Sequence, residues 1–464
     1  MIPVTSRSSQ HLAVFGLGGS GRATAHALMA GGAAVTAWDD NAESRAQAAN
    51  ENIPLADLTG ADWSDIAALV LSPGIPLTHP APHPVVGCAR QADRPVIGDI
   101  ELLAENVSDA VLIGITGTNG KSTTSALLHH VLQASGIAVQ IGGNFGPPVL
   151  GLVPPGAGDT VVLELSSYQL DLTHTATFDI AVLLNVTPDH LDRHGDMAGY
   201  VAAKKRIFRT AQAATGQIAV IGIDDEYGRA AMNELAGNRS WQVVPVSVER
   251  PVEGGVSVID GDLRDADGNS CAIGHIDTLR GRHNWQNAAT AWAVARARGL
   301  TPAQIAAAFE TYPGLPHRLE MVGEIDGIRY VNDSKATNGE AAARALASFQ
   351  NIYWIAGGVA KEDGLVPTEP YLDHVRHAFL IGEAADAFAT ALDGRIPVTM
   401  SGDLETAVTD AARCAAEAGD IEAGDAPVVL LSPACASFDQ YRNFTLRGDH
   451  FRALVAGLRA EGAA

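Results

Sequence analysis

The stretch Val111-Leu-Ile-Gly-Ile-Thr-Gly-Thr-Asn-Gly-Lys-Ser-Thr123 runs from a short apolar segment through a glycine-rich turn into a helical segment. A strand, a glycine turn and a helix in this order place phosphate groups at helix N-termini in α/β sheets. Backbone N–H groups of the turn can surround a phosphate, Lys121 can reach the outer phosphates and Ser122 can contact Mg²⁺. The full pattern, G-x-x-x-x-G-K-S/T, would place its first glycine where the chain has Ile115. The alternative, a glycine-rich turn with a solvated lysine, is disfavoured by the flanking strand and helix.

An earlier segment has the same organisation. The apolar run His11–Phe15 leads into Gly16-Leu-Gly-Gly-Ser-Gly21, and Asp39 follows a second apolar run, Ala33–Trp38. This spacing matches the dinucleotide fingerprint, which taken alone predicts NAD. A tight turn that needs glycine for positive φ and close packing would explain the same residues. The loop therefore indicates a nucleotide without identifying it.

The fold class follows from the alternation of apolar runs and helical stretches. Two further runs, Ile352–Ala356 and Val428–Leu431, end in glycine and in Ser-Pro. Strands that alternate with helices predict an α/β fold with mostly parallel sheets. The polar stretch Glu101–Asp109 and the Pro/Gly break Tyr312–His317 divide the chain into three predicted domains, 1–107, 108–314 and 315–464. Strands and turns are expected in Val246–Ile276.

Composition excludes several classes of protein. The chain has 464 residues, 31 Lys and Arg against 53 Asp and Glu, and a net charge of −22. A surface with this much negative charge repels the phosphate backbone of nucleic acids. We therefore expect no nucleic-acid partner. The four cysteines are far apart, which predicts neither a disulfide framework nor a zinc site. The start carries no apolar signal core, and no run reaches the about 20 apolar residues of a membrane span. We expect a soluble cytoplasmic protein without a membrane partner.

Two polar residues follow apolar runs of the middle region. Glu164 ends the run that begins at Thr160, and a carboxylate beside a phosphate loop suits Mg²⁺. His190 follows the run Ile180–Leu184 and is flanked by Asp189 and Asp192. A lone histidine is more often a structural hydrogen-bonding group, but its place at a strand end favours a site.

The last third holds three polar clusters, at 317–320, 332–338 and 432–440. Charged and amide groups at the carboxyl edge of a sheet are typical of a substrate crevice, although each cluster alone could be turn and cap chemistry. An NAD-dependent oxidoreductase would leave Lys121, Glu164 and the 332–338 cluster unexplained. A P-loop regulatory protein would leave the crevice unexplained.

Taken in chain order, seven of these segments resemble the Mur ligases, and among them the members that add D-glutamate. They are Leu71-Ser-Pro-Gly-Ile75, Ile113–Thr123, Leu163-Glu-Leu-Ser-Ser-Tyr-Gln-Leu170, Thr187-Pro-Asp-His-Leu-Asp-Arg193, Pro316-His-Arg-Leu-Glu320, Asn332–Asn338 and Leu431–Gln440. The resemblance implies a Rossmann-like N-terminal domain that binds the UDP substrate, a P-loop ATPase-like central domain and a Rossmann-like C-terminal domain that binds the amino acid.

The resemblance also implies the reaction and its cofactors. D-glutamate is joined to UDP-N-acetylmuramoyl-L-alanine through an acyl phosphate, in peptidoglycan precursor synthesis. ATP and two Mg²⁺ ions are implied, with Lys204 carbamylated to serve as a metal ligand, and the protein is expected to be a monomer. Carbamylation needs an uncharged amine, so the pKa of Lys204, unlike that of Lys205, should be lowered by burial or by a nearby cation.

Site residues are carried over motif by motif. The resemblance implies ATP contacts at Gly117, Thr118, Asn119, Gly120, Lys121, Ser122, Thr123, Asn284, Asn287, Arg318 and Asp333. It implies metal ligation by Ser122, Glu164, His190 and Lys204, and catalytic roles for Lys121, His190, Lys204 and Lys335. The UDP substrate is assigned to Ser20, Asp39, Asn144 and Gln169, and D-glutamate to Thr337, Lys361, Ser437, Phe438 and Phe444, with Lys335 beside them. The first glycine loop would then bind UDP and not NAD.

The chain departs from the family pattern near Asp39. Some members have an arginine two positions on, where this chain has Asn41. Relatives that add L-alanine or a diamino acid, and folylpolyglutamate synthase, are the alternatives within the superfamily. The segments 332–338 and 431–440 favour D-glutamate.

Overall fold

The structure is a computed structural model that describes residues 1–210, 216–361, 364–417 and 426–462. The described residues form two compact units, Met1–Ile273 with Trp285–Thr311, and Gly274–Asn284 with Tyr312–Ala464. The first unit contains two sheets and the second unit a third large sheet. Within the described ranges, no helix combines the length and the apolar composition needed to cross a bilayer.

The first sheet is built around the glycine loop that follows the first strand. Its elements are β1 (His11–Phe15), α1 (Gly19–Ala30), β2 (Ala34–Trp38), α2 (Ala42–Asn50), β3 (Ile66–Leu71), α3 (Pro84–Gln91), β4 (Val96–Ile97) and α4 (Asp99–Asn106), with a 3-10 turn at Thr5–Arg7. The strands are parallel in the order β2-β1-β3-β4. Gly16 has φ +93°, and a β-carbon at Gly21 would lie 1.7 Å from the Gly16 carbonyl oxygen. Both glycines are therefore required for α1 to pack this closely on the loop.

The second sheet has nine strands and carries the phosphate loop. The strands are β5 (Val111–Thr116), β6 (Val139–Gly143), β7 (Thr160–Glu164), β8 (Ile180–Leu183), β9 (Gln217–Gly222), β10 (Trp241–Ser247), β11 (Val256–Ile259), β12 (Asp262–Asp265) and β13 (Ser270–Ala272). Their order is β13-β12-β11-β10-β9-β8-β5-β7-β6. The pairs from β6 to β11 are parallel, whereas β12 and β13 pair antiparallel. The strands and turns expected in Val246–Ile276 are confirmed.

Helices connect and cover the strands of the second sheet. They are α5 (Lys121–Ala134), α6 (Ser167–Asp171), α7 (Leu191–His194), α8 (Met197–Lys205), α9 (Glu226–Leu235), α10 (Arg282–Ala297) and α11 (Pro302–Glu310), with 3-10 turns at Val149–Gly151, Arg206–Phe208 and Asp277–Leu279. In parallel sheets the carboxyl ends of neighbouring strands meet at one edge. The loops after β5, β7 and β8 therefore begin side by side.

The polar stretch Glu101–Asp109 begins within a helix. Residues 101–106 belong to α4, and Glu101 is buried with only 3% of its surface exposed. Its carboxylate accepts hydrogen bonds from the backbone N–H groups of His174, Thr175 and Ala176, in the loop after α6. The two sheets of the first unit are thus tied together here. The boundaries at 107/108 and 314/315 stay predictions.

The third sheet has six strands and lies in the second unit. Its elements are β14 (Glu320–Ile325), β15 (Ile328–Asn332), α12 (Gly339–Leu346), β16 (Ile352–Gly357), β18 (Val375–Ile381), α13 (Ala385–Leu392), β19 (Val398–Gly402), α14 (Leu404–Glu417), β20 (Val428–Leu431) and α15 (Phe444–Gly462), with a 3-10 helix at Val366–His374. The order is β14-β15-β20-β16-β18-β19, and only the β14 pairing is antiparallel. Two short strands, β17 (Val359–Ala360) and β21 (Cys435–Ala436), form a separate pair.

Candidate functional site

The phosphate loop joins β5 to α5 in a conformation that requires glycine. Gly120 stands at the helix N-cap with φ +85°, and a β-carbon there would lie 2.3 Å from Asn287 Oδ1. Asn287 Oδ1 also accepts a hydrogen bond of 3.0 Å from Thr124, so α10 packs directly against the loop. Lys121 Nζ donates to the carbonyl oxygens of Gly117 and Thr118, both at 2.9 Å. Of the two asparagines predicted beside ATP, Asn287 is at the loop.

Residues after β8 hold the outer side of the phosphate loop. Asn185 accepts from the N–H groups of Thr118 and Asn119, through its carbonyl and its side-chain oxygen respectively, both at 2.9 Å. Thr187 N–H donates to Thr118 Oγ1 at 3.0 Å. The sequence analysis did not include Asn185 among the site residues. Its position directly after an apolar run was the available signal.

Lys204 is buried against the phosphate loop. It is 1% exposed, its Nζ donates to the Gly117 carbonyl oxygen at 2.8 Å, and it lies 4.5 Å from the centre of the Tyr200 ring. Burial, together with the charge of Lys121, lowers the pKa of Lys204 well below its usual value. Lys205, the next residue, instead forms a partly exposed ion pair with Glu234. The lowered pKa that carbamylation requires is therefore found at Lys204.

Glu164 stands at the end of β7, in register with Ile115 on β5. Its side chain is 1% exposed, and Oε1 accepts a hydrogen bond of 2.7 Å from Asn144 Nδ2. The other oxygen, Oε2, is buried without a hydrogen-bond partner. A buried carboxylate oxygen in this state is a ready ligand for a cation. Asn144, assigned to the UDP substrate, lies here beside Glu164.

His190 precedes α7 in a left-handed backbone conformation, with φ +53°. Its Nδ1 lies 3.0 Å from the Tyr168 hydroxyl, and its Nε2 lies 3.4 Å from Asp189 Oδ2. Burial lowers the pKa of His190; Asp189 and Asp192 oppose this effect, and Lys121 and Lys204 add to it, so the net shift favours the neutral ring, which is the form that binds a metal. Ser122, in the first turn of α5, is buried.

No group of three or more His, Cys, Asp or Glu side chains in the described ranges is arranged to hold a metal ion. The metal ligands predicted from the sequence include only one glutamate and one histidine. The other two predicted ligands, Ser122 and Lys204, are not residues of these four types. The orphaned Oε2 of Glu164 and the neutral ring of His190 have the chemistry that such an ion needs.

The residues assigned to the UDP substrate in the first sheet and at α6 have local partners. Asp39 accepts from the N–H groups of Leu17 at 2.5 Å and Asn41 at 2.8 Å, which fixes the first glycine loop. Ser20 donates to Asp99, a carboxyl whose pKa is raised by burial. Gln169 accepts from both the N–H and the hydroxyl of Ser166, forming the capping box of α6.

In the second unit, Asp333 follows β15 and is buried. It accepts from Ser432 Oγ at 2.8 Å and from Leu319 N–H at 3.2 Å. Burial raises its pKa to about 7, against the opposing effects of these bonds and of Arg318 and Arg447. Arg318 thus acts on Asp333 through its charge, and the role of both residues at ATP stays a prediction. Asn284 Nδ2, in the first turn of α10, donates to the carbonyl oxygen of Arg280, just before the helix, at 2.9 Å.

Residues assigned to D-glutamate lie in the same unit, on loops and, for Phe444, at the start of α15. Lys335 Nζ is 3.8 Å from the centre of the Phe444 ring, which brings two of them together. Ser437 is buried and Phe438 is 74% exposed. Thr337 N–H donates to Lys335 O at 2.8 Å, and Lys361 is exposed at the edge of the described range.

The sequence analysis also missed Arg447, on α15. It is 1% exposed and donates to Ser334 Oγ at 3.0 Å, Ser334 O at 2.8 Å and Cys435 O at 3.1 Å. Burial lowers its pKa to about 10. Arg447 therefore links the 332–338 and 432–440 clusters. An arginine in the first turn of an amphipathic helix gives no signal of such a role.

Comparisons with known proteins extend over the whole chain. A family model described as the Mur ligase middle domain matches residues 115–295, and one described as the Mur ligase, glutamate ligase domain matches residues 317–435. The UDP-N-acetylmuramoylalanine--D-glutamate ligase of Paramagnetospirillum magneticum is 50% identical over 100% of both chains. That of Nitrobacter hamburgensis is 50% identical over 99% of this chain and 98% of its own.

A solved structure shows the same fold at low identity. UDP-N-acetylmuramate-alanine ligase MurC from Thermotoga maritima has a TM-score of 0.56 and 15% identity, over 97% of this chain and 99% of its own. The expected α/β fold with mostly parallel sheets is confirmed.

Proposed function

Because the chain belongs to the Mur ligase family, we propose that it joins D-glutamate to UDP-N-acetylmuramoyl-L-alanine, with conversion of ATP to ADP and phosphate. The family and the ligase activity expected from the sequence are confirmed by relatives that are 50% identical over nearly the full chain. These relatives carry the D-glutamate ligase name, which favours this substrate over the L-alanine, diamino-acid and folylpolyglutamate alternatives. The product belongs to peptidoglycan precursor synthesis.

The observation that supports the ATP-dependent step is the phosphate loop at the carboxyl edge of the second sheet. Gly120 carries no side chain at the N-cap of α5, and a helix N-terminus at the end of a strand favours a bound phosphate. The ammonium group of Lys121 donates hydrogen bonds to two carbonyl oxygens of the loop. From this position it can rotate to contact a phosphate oxygen. Binding ATP here would place the γ-phosphate beside the ends of β5 and β7.

The residues around the loop fit magnesium. Glu164 offers the buried oxygen Oε2, His190 offers a neutral ring, and Ser122 offers a hydroxyl in the first turn of α5. Lys204 would join them as a carbamate, formed when its neutral amine adds CO₂ and releases a proton. Bound Mg²⁺ supplies neutralisation of the phosphate charges.

The reaction overcomes the poor reactivity of a carboxylate. An oxygen of the muramoyl-L-alanine carboxylate attacks the γ-phosphorus, ADP leaves and an acyl phosphate forms. The free amine of D-glutamate then attacks the carbonyl carbon; the tetrahedral intermediate releases one nitrogen proton to water and expels phosphate, which leaves the amide. Lys121 stabilises the charge that develops on the transferred phosphoryl group.

The second unit supplies the cationic and hydroxyl groups that an amino dicarboxylate needs. We assign D-glutamate to Lys335, Thr337, Lys361, Ser437, Phe438 and Phe444. The cations Lys335 and Lys361 suit its carboxylates, and Phe444 holds the Lys335 ammonium through its ring face.

The UDP substrate is assigned to the first glycine loop, through Ser20 and Asp39, and to Asn144 and Gln169. Asp39 and Gln169 have side-chain oxygens that already accept backbone hydrogen bonds. Their contribution would therefore come mainly from the shape they give to the loop and to the start of α6. The cytoplasmic location and the monomeric state stay predictions.

Phosphate release tests this function. With ATP, Mg²⁺ and UDP-N-acetylmuramoyl-L-alanine present, release should depend on D-glutamate and not on L-alanine or a diamino acid. With ¹⁸O in the substrate carboxylate, one labelled oxygen should appear in the released phosphate. Equal release with every amino acid would contradict the substrate assignment, and label found only in the peptide product would contradict the acyl phosphate.

A further inference from the structure

Arg193, on α7, is buried in the first unit between two loops and has no part in the proposed reaction. Its residue surface is 6% exposed, and its Nη2 donates to the Ile75 carbonyl oxygen at 2.7 Å. The guanidinium carbon lies 5.1 Å from the centre of the Tyr168 ring. Its Nε and Nη1 are buried without hydrogen-bond partners. Its Nη2 also lies 3.5 Å from the Pro73 carbonyl oxygen, in the same turn as Ile75. Burying a cation without full hydrogen bonding is costly, so the contacts with this turn and with Tyr168 hold Arg193 in a defined position.

One contact leads to the glycine loop of the first sheet. Ile75 closes a turn in which its N–H donates to the Ser72 carbonyl oxygen at 3.0 Å. Ser72 Oγ donates in turn to the Gly16 carbonyl oxygen at 2.7 Å. Gly16 begins the loop that leads into α1, whose first turn carries Ser20. The motif Leu71–Ile75, singled out in the sequence, thus lies between Arg193 and the loop assigned to the UDP substrate.

The other contact leads to His190. The Tyr168 ring faces the guanidinium, and its hydroxyl lies 3.0 Å from His190 Nδ1. If the hydroxyl oxygen accepts the Nδ1 proton, the lone pair of the ring lies on Nε2, which is 3.4 Å from Asp189 Oδ2. A histidine that binds a metal takes its orientation and tautomer from such a partner. The position of Tyr168 therefore affects how His190 is presented.

We propose that Arg193 is a positioning residue that couples the first glycine loop to His190. Binding of the UDP substrate fixes the loop and, through Ser72, the Ile75 carbonyl oxygen that holds Arg193. Arg193 then holds the Tyr168 ring, whose hydroxyl orients His190. The inference rests on the proposed function, since it assumes that the loop binds substrate and that His190 acts at the ATP site.

The test compares Arg193→Met and Arg193→Lys with Arg94→Met. Arg94 is a matched control, because its Nη2 donates to the Ser64 carbonyl oxygen at 2.7 Å and its Nε is also buried without a partner. Arg193→Met should lower kcat about 10- to 100-fold, as expected when the orienting partner of a metal-binding histidine is disturbed. Arg193→Lys keeps a cation and should recover part of this loss, whereas Arg94→Met should stay near the wild-type kcat.

A binding measurement without ATP or Mg²⁺ gives a second readout. Calorimetry with UDP-N-acetylmuramoyl-L-alanine should show an affinity about tenfold weaker for Arg193→Met, the order expected for a lost charged hydrogen bond. Unchanged affinity together with unchanged kcat would overturn the proposal.

A double-variant cycle separates positioning from a purely structural role. Tyr168→Phe keeps the ring but removes the hydroxyl next to His190. If Arg193 acts through this hydroxyl, the loss of kcat in the double variant should be smaller than the product of the single losses. Independent, multiplicative losses, or a lower unfolding midpoint with unaltered kcat, would show a structural tie instead. If Arg193→Met does not fold, Arg193→Lys takes its place in the cycle.

The same experiments separate this inference from the proposed function. Wild-type enzyme without D-glutamate-dependent phosphate release would overturn the proposed function. Active wild-type enzyme with an Arg193→Met variant that behaves like Arg94→Met would overturn only the coupling.

Discussion

Replacing Lys204 by alanine should remove most ligase activity while the protein stays folded. The side chain is buried, donates to the Gly117 carbonyl oxygen at 2.8 Å and lies over the Tyr200 ring. In the proposed reaction it is a carbamate that holds positive charge next to the transferred phosphoryl group. Losing one such electrostatic contact costs on the order of 10²–10³ in kcat.

The pKa of Lys204 sets the expected effect on stability. The folded protein lowers this pKa through burial and through Lys121, so the unmodified ammonium destabilises the fold. This penalty is fully present below the lowered pKa and disappears as pH rises toward about 10.4, the unfolded value. In CO₂-free buffer, Lys204→Met, which fills the space of the aliphatic stem, should therefore unfold at the same or a higher temperature than wild type at neutral pH. The advantage should shrink as pH rises.

Acetate distinguishes a missing carboxylate from a damaged site. Lys204→Ala leaves room for acetate and should regain part of its phosphate release when acetate is added, whereas Lys204→Met should not. Lys205→Ala is the matched control, because Lys205 forms a partly exposed pair with Glu234, a type of contact worth about 0–1 kcal/mol. Full activity of Lys204→Ala without an additive would refute the assignment.

Three further predictions concern Glu101, Asp333 and Gly120. Glu101→Gln should lower the free energy of unfolding by about 1–3 kcal/mol at pH 7 in urea titrations. Hydrogen bonds outweigh burial and lower the pKa of Glu101. The stability difference between wild type and variant should therefore shrink as pH falls below about 4. Burial raises the pKa of Asp333 to about 7, so wild type should lose stability as pH rises from about 4 to about 7 and should then level off, and thermal scans of Asp333→Asn should show a flatter profile across that range. Gly120→Ala meets Asn287 Oδ1 and a positive φ, so calorimetry should detect at least tenfold weaker ATP binding, and wild-type affinity would contradict the geometry.

The strands that carry the site could be predicted because each is a continuous apolar run bounded by turn residues. His11–Phe15, Val111–Thr116 and Val428–Leu431 are strands over the residues that the sequence indicates. Buried parallel strands have no polar face to interrupt the run, so their ends are sharply marked. The positions of Glu164 at the end of β7 and of His190 in the segment after β8 could be predicted in the same way, whereas their roles as metal ligands stay predictions.

Long-range pairing could not be predicted in the same way. Glu101 lies in a polar stretch, yet its carboxylate is buried by N–H groups more than seventy residues away. Asn185 and Arg447 likewise take their roles from loops that are distant in sequence. The local pattern of charge and hydrophobicity does not indicate hydrogen-bond partners that are distant in sequence. The sequence also did not show that two residues assigned to the UDP substrate are used within the protein. The side chains of Asp39 and Gln169 accept hydrogen bonds from backbone N–H groups.

The choice between Lys204 and Lys205 shows how register decides chemistry. On α8, neighbouring residues point about 100° apart, so only one lysine can face the phosphate loop while the other faces Glu234. The inward lysine shares the Gly117 carbonyl oxygen with Lys121, so two ammonium groups are held on one acceptor. The repulsion between them favours loss of the Lys204 proton. A carbamate at that nitrogen would replace the repulsion with attraction to Lys121 and would add an anion beside Glu164 and His190. The same arrangement that destabilises Lys204 as a cation therefore suits it to become a metal ligand.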